Sequence, residues 1–287
     1  MPRAKKHGCF ALAFIASLIM LFLCALVLVL YVLFTPAPIN ILIVGLDARE
    51  GEGVMARTDA ISILGVQTQR NQVALLSIPR DLFLSVPNYG LQRINTVHVL
   101  GEMEATGQGM PLLSTSIEQN FRIPIQRTVR INFQGFIALI DALGGVEIEV
   151  PRLLIDHAYP TADYSTISVR FEAGHQQLTG EQALIYARMR HADDDYGRAG
   201  RQQQVIQALG AKLANPLNWG RAWSALHGTL ETNLSLIDGL SLLPTLVLNA
   251  GRYHTQVINR DLIVAGERGA QPNYDALEPV LAQFFRP

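Results

Sequence analysis

The stretch VRINFQGFIALIDALGGVEIEV, residues 129–150, decides the fold of this chain. It begins as a short apolar strand and continues with apolar side chains at helical spacing. Those on one face of the predicted helix are Phe133, Phe136, Ile137 and Ile140. Gly144 and Gly145 end the helix, and VEIEV follows as a second strand. The stretch therefore predicts a βαβ-like unit, which is typical of α/β proteins.

The segments on either side continue the alternation of strands and helices. Upstream there are three apolar strands and then a helical pattern from Ile94 to about Asn120. The strands are INILIVG (39–45), AISILGV (60–66) and QVALLSI (72–78). Downstream, residues 152–166 are loop-like. Helices are then predicted in LTGEQALIYARMR, over residues 198–213 and in two segments up to Leu248. A late strand in TQVINRDLIV and a closing helix in YDALEPVLAQFF follow. We predict one α/β domain over residues 39–287, an α/β/α sandwich with a central mixed sheet.

The N-terminal region predicts a membrane anchor. Residues 9–34 form an uncharged apolar run that is long enough for one transmembrane helix. Arg3, Lys5 and Lys6 precede the run, and positive charge on this side places the N-terminus in the cytoplasm. We therefore predict a single-pass protein of the cell membrane, with a cytoplasmic N-terminus (1–8), a transmembrane signal anchor (9–34), a stalk (35–38) and an extracytoplasmic domain (39–287). A cleaved signal peptide is the alternative.

Charge and cysteine usage exclude two classes of function. The net charge of the 287 residues is -1, so the chain lacks the basic field that attracts nucleic acid. Its two cysteines, Cys9 and Cys24, both lie in the predicted anchor. The outer domain therefore has neither a disulfide nor thiol chemistry.

Four arginines in YARMRHADDDYGRAGRQQQ, residues 186–204, are the best indication of function: Arg188, Arg190, Arg198 and Arg201. Guanidinium groups are planar, permanently charged and fork-shaped, so a converging set suits a phosphate or pyrophosphate. Arg198 and Arg201 share a helix face, and Gln202 is one position further on. If the chain is extended after Tyr186, Arg188 and Arg190 also point the same way.

The alternative for these arginines is a salt-bridge network with the neighbouring acidic residues Asp193, Asp194 and Asp195.

Further charged residues follow the predicted strands. Asp47 and Asp59 lie near strand ends on either side of a glycine-containing loop, and Mg²⁺ often binds one or two carboxylates together with a substrate phosphate. The alternative is that each aspartate caps a helix or pairs with Arg49 or Arg57. Arg80 follows a strand in SIPRD, at the end of the sheet where α/β proteins bind ligands.

The chain resembles the LytR-CpsA-Psr family of membrane-anchored cell-wall proteins over residues 39–215. The resemblance rests on an ordered set of motifs: NILIVGLDAR, RTDA, SIPRD, RIN, NFQGFIALIDALGGVEIEV, LTGEQALIYARMR and DYGRAGRQQ. It implies an enzyme that transfers a glycopolymer from a polyprenyl-pyrophosphate carrier to peptidoglycan as a phosphodiester, with Mg²⁺ as cofactor. The implied partners are the lipid-linked glycan, peptidoglycan and membrane lipid, and no nucleic acid.

The resemblance also assigns roles to residues. It implies that Asp47 and Asp59 hold the metal ion, and that Asp59, Arg80 and Arg198 are catalytic. The residues implied to bind the pyrophosphate are Arg57, Arg80, Arg93, Arg188, Arg190, Arg198 and Gln202. Arg93 stands where the family often has lysine, which keeps the charge but changes its geometry. We expect Arg201 only to brace the helix that presents its neighbours.

Two alternatives remain open for function. The same charged site could serve a polyprenyl-pyrophosphate hydrolase, because hydrolysis and transfer need the same charge neutralisation. It could also serve a lipid-binding envelope protein with indirect regulatory effects on transcription. The helix over residues 133–143 is a candidate wall of a lipid groove, and ordinary core packing is the other explanation of its apolar face.

Overall fold

The computed structural model describes residues 6–33, 36–47, 55–161, 165–190 and 195–286. The chain divides into two compact units, Met1–Ala37 and Pro38–Pro287. The first unit contains helix α1 (Lys6–Leu33). In the described part of the chain, no helix combines the length and the apolarity that a bilayer span requires. The anchor over residues 9–34 therefore stays a prediction.

The second unit alternates strands and helices. In chain order its elements are β1 (Ile39–Leu46), β2 (Thr58–Gln67), β3 (Gln72–Ser77), β4 (Phe83–Val86), β5 (Gly90–Arg93), α2 (Ile94–Glu104), α3 (Gly109–Phe121), β6 (Arg127–Ile131), α4 (Phe133–Ala142), β7 (Val146–Val150), β8 (Leu154–Pro160), β9 (Thr166–Phe171), β10 (Gly174–Leu178), α5 (Gly180–Arg188), α6 (Asp195–Leu213), α7 (Trp219–Leu226), β11 (Leu230–Thr232), α8 (Leu236–Leu248), β12 (His254–Val257), β13 (Ile263–Ala265), β14 (Ala270–Pro272) and α9 (Tyr274–Phe284). Single 3-10 turns lie at Thr68–Arg70, Pro216–Asn218 and Arg260–Leu262.

A mixed sheet forms the centre of this unit, with the strand order β11-β6-β1-β2-β3-β12. Strand β1 is antiparallel to β2 and parallel to β6, so Ile43 lies between Ser62 and Val129. Strand β3 is antiparallel to β2 and parallel to β12. The predicted central mixed sheet is therefore confirmed.

Helices cover both faces of the central sheet. Successive side chains of a strand point to opposite faces, so β1 contributes to two cores. Leu42 and Val44 are fully buried in a core shared with α2, α3 and α9. Ile41 is buried in a second core with Leu242 of α8. This arrangement is the α/β/α sandwich expected from the sequence.

The deciding stretch forms β6, α4 and β7, but β7 does not join the central sheet. Asn132 caps α4 by accepting a 2.8 Å hydrogen bond from the Gly135 amide. Gly144 and Gly145 then take φ values of 76° and 84°, and these left-handed residues turn the chain away from the sheet. Strand β7 pairs with β10 in a separate antiparallel sheet. The strand, helix and strand were correctly predicted, whereas their union in one βαβ-like sheet was wrong.

The loop expected over residues 152–166 is also wrong, because most of it belongs to a hairpin. Strand β8 pairs with β9, and the register shifts between Asp156 and Tyr159. Leu154, Tyr159 and Phe171 anchor the hairpin in a core around Tyr186. Because exposed polar residues lie between these anchors and the register is irregular, the sequence does not show the regular apolar and polar alternation that predicts a strand.

The two ends of the central sheet have different surroundings. At one end β1 and β3 finish and β2 begins, and the predicted polar residues follow; we call it the site end. At the opposite end, which we call the stalk end, β1 begins at Ile39 directly after Pro38, and the turn between β2 and β3 lies beside it.

Candidate functional site

Strand pairing brings two predicted aspartates together at the site end. Leu46, the last residue of β1, pairs with Thr58, the first residue of β2. The Asp47 amide donates a 2.9 Å hydrogen bond to the Arg57 carbonyl. Asp47 therefore follows the end of β1, and Asp59 is the second residue of the adjacent, hydrogen-bonded strand β2.

A cavity of about 270 Å³ lies beside these strand ends. The predicted site residues that line it are Asp59, Arg80, Arg198 and Gln202. Arg80 Nη1 donates a 2.8 Å hydrogen bond to Asp59 Oδ1, and Arg80 Nε lies 3.6 Å from Asp81 Oδ2. The two carboxylates orient the Arg80 guanidinium, whose side chain is 15% exposed. A guanidinium fixed in this way is suited to binding a phosphate oxygen.

Helix α6 brings Arg198 and Gln202 to the cavity one helical turn apart. Arg198 is buried in the cavity wall. Arg201, on the same helix, donates from Nε and Nη2 to the backbone carbonyls of Tyr186 and Met189, at 2.8 and 2.5 Å. Arg201 thus ties α6 to the end of α5, which is the bracing position expected from the sequence.

The chain is not extended after Tyr186, which was the condition for Arg188 and Arg190 to point the same way. Helix α5 continues to Arg188, and the Met189 amide still donates to the Ile185 carbonyl at 2.9 Å. Arg190 lies beyond the helix, is exposed, and its amide donates to Asp156 Oδ2 at 3.1 Å. Neither arginine belongs to the cavity lining.

Arg188 has its own set of contacts near the site end. Its guanidinium carbon lies 4.2 Å from the centre of the Phe133 ring. Nη2 donates to Asp47 Oδ1 and Nη1 to the Tyr159 hydroxyl, each at 3.3 Å. Burial raises the pKa of Tyr159 although the Arg188 charge opposes this, so the phenol stays neutral and accepts. Phe133, the first residue of the candidate lipid-groove helix, stacks against Arg188, and the groove stays a prediction.

Arg57 and Arg93 also lie outside the cavity lining. Arg57 is exposed just before β2. Arg93 is the last residue of β5, and its side chain is 57% exposed. Its guanidinium lies 5.5 Å from the Phe83 ring centre, and Nη1 is 4.0 Å from Asp81 Oδ1. Asp81 also contacts Arg80, so Asp81 connects Arg93 to the cavity residue Arg80.

The donor set predicted for Mg²⁺ consists of carboxylate oxygens on Asp47 and Asp59. Each carboxylate also contacts an arginine, Arg188 at 3.3 Å and Arg80 at 2.8 Å. The described residues contain no group of three or more His, Cys, Asp or Glu that could hold a metal ion. Since Mg²⁺ often binds one or two protein carboxylates and completes its shell with substrate phosphates and water, these residues fit a shared cation. They do not form an all-protein cage.

Arg260 is a cavity residue that the sequence analysis missed. It lies in the 3-10 turn after β12, and its guanidinium is 5.8 Å from the ring centre of Tyr196, which also lines the cavity. Ser77 of β3 pairs in parallel with Val257 of β12. Arg260 therefore comes three residues after Val257, as Arg80 does after Ser77. The repeated pattern I-x-R-D, in SIPRD and in VINRD, was the signal that could have identified it.

A separate cluster of polar and charged groups, buried except for Glu231, lies around Arg130 of β6. Arg130 Nη1 is 2.8 Å from His98 Nε2 and 3.4 Å from Glu102 Oε1, and Arg130 Nη2 donates to Glu231. A guanidinium can only donate, so His98 Nε2 accepts and the imidazole is neutral. Burial and, secondarily, the Arg130 charge lower the pKa of His98 to about 4.

Some predicted contacts lie outside the described residues. These include Arg49, the glycine-containing loop 50–53, His191, Asp193 and Asp194. The alternative salt-bridge network around Asp193 and its neighbours therefore remains a prediction.

Comparison with known proteins relates this chain to one family. The model of the LytR_cpsA_psr family matches residues 34–266. A relative from Oceanobacillus iheyensis, named polyisoprenyl-teichoic acid–peptidoglycan teichoic acid transferase TagU, is 31% identical over 234 residues, which are 80% of this chain and 68% of that protein. A relative of the same name from Halalkalibacterium halodurans is 33% identical over 210 residues, 71% of this chain and 63% of that protein. The crystal structure of B. subtilis TagV matches with a TM-score of 0.69 and 25% identity, covering 85% of this chain and 94% of that one. The chain thus spans about two thirds of the length of these curated relatives.

Proposed function

The chain belongs to the LytR_cpsA_psr family, and we propose that it transfers a glycopolymer, linked through phosphate, from a polyprenyl-pyrophosphate carrier to peptidoglycan. Relatives at 31% and 33% identity carry the name of a polyisoprenyl-teichoic acid–peptidoglycan teichoic acid transferase. The observation that carries the proposal is the convergence of Arg80, Arg198 and Arg260 on one cavity that also contains Asp59. Such a set of guanidinium groups matches the charge of a diphosphate.

The proposed reaction is a phosphoryl transfer. A hydroxyl oxygen of the wall acceptor attacks the phosphorus that bears the glycan, and a new phosphodiester bond forms. The bond between this phosphorus and the bridging oxygen breaks, so polyprenyl phosphate leaves with the electron pair. The hydroxyl proton passes to a carboxylate of the cavity. Asp59 lines the cavity and is proposed for this role, and its hydrogen bond from Arg80 orients it.

The arginines contribute electrostatic stabilisation to this reaction. Negative charge spreads over the transferring and leaving phosphates in the transition state, and prearranged donors stabilise it without reorganising. Arg80 is oriented by Asp59 and Asp81, and Arg198 is buried in the wall formed by α6. Bracing of α6 by Arg201 keeps Arg198 in place. Arg188, held by Asp47 and Phe133, is proposed to act from outside the cavity lining.

Asp47 and Asp59 are the residues proposed to hold Mg²⁺ together with the substrate. When bound, the ion would neutralise phosphate charge as a Lewis acid. The pairing of each aspartate with an arginine orients both carboxylates. The remaining residues predicted to face the pyrophosphate, Arg57, Arg93 and Arg190, are proposed to contact parts of the substrate outside the cavity.

The proposed location is the cell membrane, with residues 9–34 as a single-pass anchor and the main unit outside the cell. The support is the uncharged run over these residues and the basic residues before it. A carrier lipid in the outer leaflet would then share the membrane with the enzyme. Protease protection in intact cells tests this topology, and protection of the main unit from external protease would refute it.

The function is tested by giving the full chain in vesicles a polyprenyl-pyrophosphate glycan, Mg²⁺ and peptidoglycan. Polyprenyl phosphate together with wall-linked glycan is the expected result. Free phosphorylated glycan would identify a hydrolase. The absence of any product would indicate a binding protein. Either outcome refutes transfer.

Two variants test the site in the same assay. Arg80→Ala and Arg198→Ala should each lower the rate about 10²-fold or more while circular dichroism stays unchanged. Arg170→Ala is the matched control, because Arg170 is exposed on β9 and pairs with Glu172 outside the cavity. Full activity in both cavity variants would show that the site lies elsewhere.

A further inference from the structure

Helix α8 exposes an apolar face to solvent. The residues of this α8 face, between 45% and 78% exposed, are Leu236, Ile237, Leu240, Val247 and Leu248. Their spacing places them on one side of the helix, while Leu242 and Thr245 on the other side are buried. Soluble proteins rarely expose a continuous apolar stripe of this length, and such a stripe indicates an interaction surface.

Helix α7 extends this surface with an aromatic residue. A Cβ atom on Gly239 of α8 would lie 3.6 Å from the Trp219 ring of α7, so the two helices are in contact. Trp223 of α7 is 66% exposed. Tryptophan next to exposed aliphatic side chains is typical of the interface between water and lipid.

The α8 face lies at the stalk end of the sheet. Near the start of α8, Asp238 accepts two hydrogen bonds from Arg127, the first residue of β6, at 2.7 and 2.9 Å. At its other end, Asn249 donates to the Asn71 carbonyl in the turn between β2 and β3, at 3.1 Å. Leu242 packs in one core with Ile39, the first residue of β1. Helix α8 therefore crosses the sheet where the chain arrives from the stalk.

That a bilayer is available to the α8 face rests on the membrane location proposed above.

The charges around the α8 face also suit a phospholipid surface. The charged residues of α7 and α8 are Arg221, which is exposed, and Asp238, which is engaged by Arg127. Arg252 is exposed shortly after α8. Basic residues beside an apolar face favour a membrane that contains anionic lipid. We propose that the α8 face and Trp223 rest on the outer surface of the lipid bilayer.

The two tryptophans of the chain provide the test. The full chain is placed in phosphatidylcholine and phosphatidylglycerol vesicles, with and without brominated acyl chains. The difference between the wild type and Trp223→Phe isolates the emission of Trp223. We expect brominated lipid to quench this emission. The triple variant Leu236→Gln, Ile237→Gln, Leu240→Gln should lose the quenching while the chain still floats with the vesicles.

A matched triple variant controls for altered surface polarity. Met103→Gln, Leu153→Gln, Ile167→Gln changes three exposed apolar residues on other elements and should leave the quenching of Trp223 intact. Circular dichroism checks that both triple variants fold.

Two outcomes would overturn the proposal. They are a floating chain without quenching and quenching that survives the α8 substitutions. In the first case, shielding of Trp223 from acrylamide would assign the face to a second protein chain. A chain that does not float would refute the anchor and the docking together. Loss of transfer activity leaves the fluorescence unchanged, so failure of the proposed reaction is distinguishable from failure of the docking.

Discussion

Acidification should destabilise the main unit through His98. Its side chain is fully buried, and Nε2 accepts a hydrogen bond from Arg130, so protonation would place an N–H group against a donor. The pKa of this imidazole is about 4 in the folded chain, against an ordinary value of 6.5. The unfolded chain therefore binds a proton between these two pH values, whereas the folded chain does not. Stability is unaffected above pH 6.5 and falls as the pH drops from 6.5 towards 4.

The size of this loss follows from the separation of the two pKa values. Each unit of separation corresponds to about 1.4 kcal/mol, so the free energy of unfolding should fall by about 3 kcal/mol between pH 7 and pH 4 through this group. This is a large fraction of the stability of a typical domain. Arg130 and Glu102 interact electrostatically with the His98 imidazole. The loss of stability on protonation therefore involves all three side chains and not only the hydrogen bond between His98 and Arg130.

Urea unfolding of residues 38–287 at pH 7 and pH 4 measures the effect. His98→Gln keeps an acceptor oxygen for Arg130 but removes the titrating group, so this variant should lose about 3 kcal/mol less than the wild type. Carboxylates that are not coupled to His98 contribute equally in both proteins and cancel in the difference. His175→Gln, at a side chain that is 64% exposed, should behave like the wild type. Equal losses in the wild type and His98→Gln would refute the reasoning.

Two further predictions concern the cavity and the deciding stretch. Arg260→Ala should lower kcat/KM about 10- to 100-fold, because it removes one of the guanidinium groups that line the cavity. Steady-state transfer kinetics would measure the change, with Arg268→Ala as a control that should have no effect. Equal rates for both variants would show that Arg260 is not part of the site. Gly145→Ala should lower the free energy of unfolding by about 2 kcal/mol, because φ is 84° and the new Cβ would lie 2.8 Å from the Leu178 carbonyl oxygen. Gly144→Ala has the same backbone strain with open space around it, so its loss in urea unfolding should be smaller; a larger loss at Gly144 would contradict this explanation.

The elements with a strong local signal could be predicted from the sequence. The three apolar strands, the helix capped by Asn132 and its glycine stop have periods that the structure reproduces. The destination of β7 was not predictable, because strand pairing depends on partners that are distant in the chain, and Gly144 with Gly145 can turn the chain towards several of them. The β8–β9 hairpin was missed because its register is irregular.

The candidate site shows the same division between local and distant information. Asp59, Arg80, Arg198 and Gln202 stand in motifs that follow or precede recognisable elements, and they meet in one cavity. The condition for Arg188 and Arg190 to point the same way was not met, because helix α5 continues two residues beyond Tyr186, to Arg188. Arg260 needed the parallel pairing of β12 with β3, which the sequence signals only through a repeated I-x-R-D pattern.

Strand β1 sets a length that the substrate has to match. It runs for eight residues from Ile39 at the stalk end to Leu46 at the site end, which is about 25 Å. The cavity therefore lies about this distance along the strand from the end where α8 crosses the sheet. A polyprenyl carrier that reaches the cavity from that end must span this length while the rest of its tail stays in the membrane. Under this geometry the number of isoprene units, and not only the head group, decides which carriers the enzyme can use.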